Sequence, residues 1–169
     1  MTHDPIHRVS MSFEREGDGL WVHTQMDPGA DLPEHFHPTR TETWEVLDGS
    51  AGVKLDGTWR ELTPADGGVL VKPYARHALR NTSGSVARLR TWVTPPGQLE
   101  AFLTESARAA QEGLYDEHNL PTSLRGAAWI SEFALRFRDE TVMCSPPPAV
   151  QKVVLPLAAR LTRRYLAPV

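Results

Sequence analysis

The stretch that decides the fold runs from Gly29 to Gly49 and reads GADLPEHFHPTRTETWEVLDG. Its two histidines, His35 and His37, are separated by one residue, and a carboxylate, Glu42, follows five positions after the second. Side chains two positions apart in a β-strand project from the same face. Two imidazoles on one face beside a carboxylate are typical of a divalent-metal site, because imidazole is the commonest side-chain metal ligand.

A third histidine that would complete such a site is His77, in the segment GGVLVKPYARHALRN that begins at Gly67. Three imidazoles and one carboxylate suit Fe(II), Mn(II), Ni(II), Cu(II) or Zn(II), and affinity alone does not select among these metals. Glu42 has two open roles, as a fourth metal ligand or as a catalytic base beside the metal. A site built from thiolates is excluded, because Cys144 is the only cysteine in the chain.

These two segments resemble the two conserved motifs of the cupin family. The first motif, G-x5-H-x-H-x3,4-E-x6-G, is matched by Gly29, His35, His37, Glu42 and Gly49. The second motif, G-x5-P-x-G-x2-H-x3-N, is matched by Gly67, Pro73, His77 and Asn81. There are two departures: Pro73 is one residue closer to the histidine than the motif requires, and Tyr74 stands where the motif has glycine.

The resemblance covers about residues 5–96 and implies a mainly β fold. The expected structure is a cupin-type antiparallel β-barrel (a double-stranded β-helix or jelly roll) over residues 1–96, with a metal inside it. The family implies a divalent transition metal, with Fe(II) favoured. It also weakly favours a homodimer.

Three functions remain open at this point, because the family does not imply one reaction. The first is a metal-dependent, dioxygenase-like oxidoreductase acting on a small organic molecule bound in the barrel. The second is a non-redox isomerase or cyclase in which the metal polarises a carbonyl group. The third is a binding or sensing protein without turnover.

Short runs with turn signals between them support the barrel independently of the resemblance. Asp48-Gly49 and Asp56-Gly57 are tight-turn pairs about eight residues apart, each between short candidate strands. Regularly spaced short strands favour a closed sheet, because closure removes exposed edges.

After Pro95-Pro96-Gly97 the apolar period changes from two residues to 3.6, which predicts a helical extension over residues 97–169. Three helices are expected, at 98–112, from Thr122 or Ser123 to about 138, and at 149–166 with a kink or restart at Pro156. Their apolar stripes are expected to pack on the barrel wall or on a second subunit. An anionic membrane surface is the alternative for the third helix, which carries Arg160, Arg163 and Arg164 near its end.

Four residues near the predicted metal site are candidate substrate contacts: Arg40, Trp44, Tyr74 and Arg76. The competing interpretation is a solvated loop residue for the arginines and the tyrosine, and a cavity wall for the indole.

Composition excludes other classes of function. The net charge is −3, so a nucleic-acid-binding face is not indicated. No apolar run approaches the roughly 18 residues of a membrane span. The first residues lack an apolar run, and a single cysteine fits a reducing compartment, so we expect a cytoplasmic protein whose partner is a small molecule.

Overall fold

The computed structural model describes residues 1–166. The predicted β-barrel followed by three helices is confirmed. The strands are β1 Thr2–Asp4, β2 Val9–Glu16, β3 Gly19–Met26, β4 Asp31–Phe36, β5 Thr41–Asp48, β6 Ala51–Leu55, β7 Thr58–Leu62, β8 Val69–Val71, β9 His77–Arg80, β10 Ala87–Thr94 and β11 Val142–Met143. The helices are α1 Leu99–Gln111, α2 Leu124–Arg136 and α3 Pro148–Thr162. Residues 167–169, the end of the predicted extension, lie outside the described residues.

The strands form two antiparallel sheets that face each other. One has the order β1-β2-β3-β10-β5-β8, and the other has the order β11-β4-β9-β6-β7. Alternation decides which side of each strand is inside: in β5, Glu42, Trp44 and Val46 are buried, whereas the residues between them are more exposed. The inner faces of both sheets pack around one core, whose members include Val9, Met11, Met26, Trp44, Val53, Leu62, Val71, Leu79 and Leu89.

The helices pack against one end of the barrel. Leu99 at the start of α1 packs with Leu20, Val22 and Val93 of the sheet. The α2 helix begins where the Ser123 side chain accepts a hydrogen bond from the Gly126 amide, as the sequence predicted for a helix cap. An aromatic cluster of Phe102, Phe133 and Phe137 then joins α1 to α2, with ring centroids 4.9–5.6 Å apart.

Several details differ from the sequence-based expectations. Neither the short strand β1 nor the two-residue strand β11 was predicted. The third helix passes through Pro156 without restarting. Its predicted apolar stripe is not buried on the barrel: Val153, Leu157 and Leu161 are 69%, 56% and 64% exposed, because α3 contacts α2 through its other side.

None of the helices within residues 1–166 has the length and apolar character that crossing a membrane requires. The predicted partners of the third helix, a membrane surface or a second subunit, stay predictions.

Candidate metal centre

Three histidines from two adjacent strands meet at one point inside the barrel. His35 on β4 and His77 on β9 are direct partners in the strand register. Their Nε2 atoms are 3.0 Å apart. One ring nitrogen from each of His35, His37 and His77 lies within 4.8 Å of the others. The side chains that the sequence places about forty residues apart are therefore brought together by the pairing of β4 with β9.

A backbone carbonyl holds the other nitrogen of each imidazole. Nδ1 of His35 is 2.7 Å from the Pro33 oxygen, and Nδ1 of His77 is 2.9 Å from the Ala75 oxygen. Nδ1 of His37 is 2.7 Å from the oxygen of Glu140. A carbonyl oxygen only accepts hydrogen bonds, so each Nδ1 carries the hydrogen and each Nε2 presents a lone pair. Converging lone pairs repel one another, and a bound cation converts that repulsion into attraction; the cluster fits a metal ion for this reason.

Glu42 lies beside the histidines on the facing sheet. Its Oε1 is 3.1 Å from Nε2 of His37, and its Oε2 is 3.9 Å from Nε2 of His77. The Trp44 indole donates a hydrogen bond to Oε2 over 2.9 Å. The carboxylate is therefore oriented and close to two of the three imidazoles, which is compatible with either predicted role, fourth ligand or base.

The pKa shifts of His35, His77 and Glu42 are in the direction that favours binding of a divalent cation. Burial, followed by repulsion from the other two histidines, holds the pKa of His35 well below its usual value. Burial also lowers the pKa of His77. For Glu42, burial acts to raise the pKa, but attraction to His37 and the other histidines outweighs it, and the pKa is lowered. Neutral imidazoles and an ionised carboxylate are the forms that bind metal.

Tyr74, the departure from the second motif, keeps the backbone shape that glycine would allow. Its φ angle is +66°, in the left-handed region of backbone conformation that residues other than glycine rarely adopt. The loop is held in that shape because the Tyr74 amide donates a hydrogen bond to the His37 oxygen over 2.9 Å. His77 therefore reaches the cluster although the motif glycine is missing.

The segment after α2 supports the histidines from outside the barrel. The Met143 backbone pairs with His35 in β11, and the Cys144 amide donates to the Glu34 oxygen over 2.9 Å. Together with the contact between the Glu140 carbonyl and His37, these hydrogen bonds hold the C-terminal extension against β4. Sequence reasoning missed this support, since backbone carbonyls and amides carry no residue-type signal.

Only one of the four candidate substrate contacts lines the cavity in front of the histidines. Trp44 lines it, with its ring centroid 5.0 Å from that of His77. Arg40 is 1% exposed and forms a buried ion pair with Glu140, while its other terminal nitrogen contacts the Pro96 oxygen. Tyr74 is 67% exposed, and Arg76 is also exposed. Substrate contact by Arg40, Tyr74 and Arg76 stays a prediction that the cavity geometry does not support.

The cavity has a volume of about 800 Å³ and extends from the barrel interior to the helices. At one end its wall contains the three histidines and Glu42. Much of the rest is apolar or aromatic, including Val9, Met11, Val22, Leu79, Phe102, Trp129 and Phe133. The sheets therefore supply the three histidines and Glu42, and the helices α1 and α2 supply apolar and aromatic parts of the cavity wall.

The sequence profile of the family described as "Cupin domain" matches residues 22–94. Several relatives match part of the chain, among them the following two. "Oxidoreductase macE" of Penicillium terrestre is 31% identical over 84 residues, 50% of this chain and 29% of that protein. "Polyketide synthase CurC" of Streptomyces cyaneus is 36% identical over 70 residues, 41% of this chain and 45% of that protein. The matched stretch thus spans less than half of either relative.

Among solved structures, KdgF from Halomonas sp. is similar with a TM-score of 0.51 and 18% identity, over 59% of this chain and 90% of that one. At this identity the similarity concerns the fold alone. It agrees with the two-sheet barrel described above and with the family profile. Residues 22–94 of this chain form a cupin domain.

Proposed function

We propose that this protein is a metal-dependent oxidoreductase that uses dioxygen to oxidise a small, largely apolar organic molecule bound in the barrel. The observation that carries the proposal is the convergence of three imidazole Nε2 atoms, each fixed by its Nδ1 contact, at one end of a large apolar cavity. The similarity to a relative named as an oxidoreductase supports the choice of redox chemistry.

In this proposal His35, His37 and His77 hold the metal, with Fe(II) as the favoured ion, and Glu42 is the fourth ligand or a base. The metal would supply Lewis acidity and electron transfer when bound. Four protein ligands around an octahedral ion leave two positions, enough for a chelating substrate or a substrate and dioxygen.

The remaining residues bind and enclose the substrate. The cavity of about 800 Å³ is within the size range of small-molecule sites, roughly 300–1,000 Å³. Its aliphatic and aromatic walls exclude water, which strengthens electrostatic interactions at the histidines. Glu42 is kept ionised by its neighbours and held by Trp44, and with its lowered pKa the carboxylate is better suited to bind the metal than to accept a proton.

The first experiment is elemental analysis of protein purified without chelator, followed by oxygen-electrode measurements on the Fe(II)-loaded protein. Catechol and acetylacetone are suitable probes, because each offers two oxygen atoms that chelate a metal. We expect about one metal ion per chain and oxygen uptake that requires both the metal and the probe. Absence of any bound transition metal, after incubation with each candidate ion, would contradict the proposal.

A non-redox isomerase or cyclase is the second candidate, favoured by the similarity to a relative named as a polyketide synthase and by the ionised, oriented Glu42. The two candidates separate under nitrogen: oxygen-independent conversion of a substrate supports the isomerase or cyclase. If a bound ligand is recovered unchanged in air and under nitrogen, the third possibility, a binding protein without turnover, is supported instead.

A further inference from the structure

A second polar centre lies in the wall of the same cavity, formed by residues that sequence reasoning did not single out. Asp4 at the end of β1 and His7 in the following turn are 4% and 8% exposed. Nδ1 of His7 is 2.8 Å from Oδ2 of Asp4. The Tyr115 hydroxyl, from the segment after α1, lies 3.3 Å from the same carboxylate oxygen and 3.1 Å from the Ser106 carbonyl oxygen, and it can donate its hydrogen to either. All three side chains line the cavity.

Both oxygens of the Asp4 carboxylate are in contact with hydrogen-bond donors. Its Oδ1 accepts hydrogen bonds from the amides of Ile6 and His7 at 2.9 and 3.0 Å, in addition to the two contacts at Oδ2. Burial acts to raise the pKa of Asp4, but the contacts with His7 outweigh it and lower the pKa. An ionised carboxylate only accepts hydrogen bonds, so Nδ1 of His7 carries the hydrogen, and in the tautomer that this contact selects Nε2 presents a lone pair.

No donor within the described part of the chain forms a hydrogen bond to that lone pair. Nε2 of His7 is buried and has no hydrogen-bond partner there. Two other buried nitrogens share this property, Nε of Arg40 and Nε of Arg80, but neither residue lines the cavity. Buried polar atoms are nearly always paired, so the unpaired Nε2 of a residue that lines the cavity indicates a ligand group.

The two polar centres lie in different parts of the cavity wall. His7 follows the edge strand β1, and three strands, β2, β3 and β10, separate β1 from the strand that carries Glu42. With adjacent strands about 4.8 Å apart, four spacings place the centres roughly 19 Å apart along the curved sheet, and closer through the cavity. Aromatic rings occupy the helical wall nearby: Trp129 stacks between Tyr115 and Phe133, with centroids 6.0 and 4.4 Å away.

We propose that His7, oriented by Asp4, is a substrate-binding residue that accepts a hydrogen bond from a hydroxyl group on an aromatic ligand. The ligand's flat apolar body would lie along the wall formed by Trp129 and Phe133, and its hydroxyl would satisfy Nε2 of His7. This inference rests on the proposed function for the identity of the cavity as the substrate site, but it makes no use of the metal.

The test compares two probes of almost equal shape on metal-free protein, prepared by dialysis against EDTA. 2-Naphthol has a hydroxyl hydrogen to donate, and 2-methoxynaphthalene does not. We expect isothermal titration calorimetry to show roughly fivefold tighter binding of 2-naphthol, the usual contribution of one hydrogen bond. In His7→Asn, whose amide can still donate to Asp4 but which has no counterpart of Nε2, the two probes should bind equally.

The matched control is His23→Asn, because His23 is a partly exposed histidine on β3 that does not line the cavity; it should keep the preference. Failure of the unaltered protein to bind 2-naphthol, equal affinity for the two probes, or a preference that survives in His7→Asn would each overturn the inference. The probe comparison needs no variant, so it decides the question even if His7→Asn does not fold. Metal content measured on the untreated protein tests the proposed function separately.

Discussion

His37 is the residue at which the metal centre and the helical extension meet. Its Nδ1 contacts the Glu140 oxygen over 2.7 Å, and its Nε2 faces the Glu42 carboxylate over 3.1 Å. One side chain therefore links the end of β4, the facing sheet and the segment after α2. Under the proposed function, loss of His37 would remove a metal ligand together with its contacts to Glu42 and Glu140.

We predict that His37→Ala loses most of the bound metal. Because a direct ligand is removed, the fall in metal affinity should exceed the roughly 10–100-fold that loss of a supporting residue causes. Inductively coupled plasma mass spectrometry on the purified protein measures this directly. His23→Ala is the control, because His23 lies outside the cavity, and it should retain wild-type metal content. Unchanged metal in His37→Ala would contradict the assignment.

Metal occupancy should be resistant to mild acid. The metal-free imidazoles of His35 and His77 have pKa values below the ordinary value, chiefly through burial, so protons compete with the metal only at lower pH than at an exposed histidine. We expect the protein to keep its metal from pH 8 down to about 6.5, the ordinary histidine pKa, and to release it below that pH. Dialysis at stepped pH followed by metal analysis gives the curve. Half-release above pH 7 would show that the imidazole pKa values are not lowered.

At the scale of elements, the junction between barrel and helices depends on a buried ion pair. Arg40, in the turn before β5, contacts the Glu140 carboxylate after α2 and the Pro96 oxygen before α1. Gly97 is required beside this pair: its φ is +50°, and a Cβ there would lie 2.7 Å from a Glu140 carboxylate oxygen. The structure thus assigns Arg40 to the connection between elements.

We predict that Arg40→Met destabilises the protein by about 3–5 kcal/mol, because it leaves the Glu140 charge buried without a partner. Urea unfolding measures the change. Arg88→Met is the matched control: Arg88 pairs with Asp48 at 2.8 Å, but both side chains are more than half exposed, so the loss should stay within about 1 kcal/mol. The double variant Arg40→Met/Glu140→Leu should recover part of the stability. Equal effects of Arg40→Met and Arg88→Met would contradict the buried role.

The packing of α2 makes a second prediction at this scale. A Cβ on Gly126 would lie 2.1 Å from the Leu114 carbonyl oxygen, a backbone atom that cannot move without displacing the α1–α2 connection. Gly126→Ala should therefore lower the free energy of unfolding by roughly 1–3 kcal/mol. Gly84→Ala, at a position with open space around it, should be nearly neutral. Equal melting temperatures for the two variants in a thermal melt would contradict the close approach of Gly126 to the Leu114 carbonyl oxygen.

For the whole molecule, barrel and helices are expected to unfold as one cooperative unit. Several kinds of contact cross between them, among them the Glu140 carbonyl on His37, the Arg40–Glu140 ion pair, the pairing of β11 with β4, and the apolar packing of Leu99 on the sheet. Tryptophan fluorescence, dominated by barrel residues, and the helical circular dichroism signal should give the same urea midpoint. Two separated transitions would show that the extension is not integral to the fold.

The exposed stripe of α3 also belongs to this scale. Val153, Leu157 and Leu161 face outward, flanked by arginines and without an acidic residue in the segment from Val142 to Leu166. The periodicity of the sequence identified these residues as one apolar side of a helix. It did not show that the helix would pack on α2 through the opposite side, because a helical period specifies a stripe and not its partner.

The sequence by itself determined the barrel, the metal-ligand candidates and the change to helices after residue 97. The turns, the strand alternation and the helical period act within a few positions of each other, whereas His77 joined the ligand candidates because two separate motifs resemble those of the cupin family. Tyr74 replaces the glycine of the second motif without changing the loop, because Tyr74 itself adopts a left-handed backbone conformation.

Only the tertiary structure decided what surrounds the metal centre. The Glu140 carbonyl on His37, the burial of Arg40 and the polar centre of Asp4, His7 and Tyr115 each join positions about 55 to 111 residues apart. Backbone carbonyls are the same in every residue, so the sequence does not show which of them will contact a histidine. The sequence likewise does not show whether an arginine in a loop is solvated or buried. Such contacts depend on how the chain closes on itself, and that closure is a property of the packed molecule as a whole.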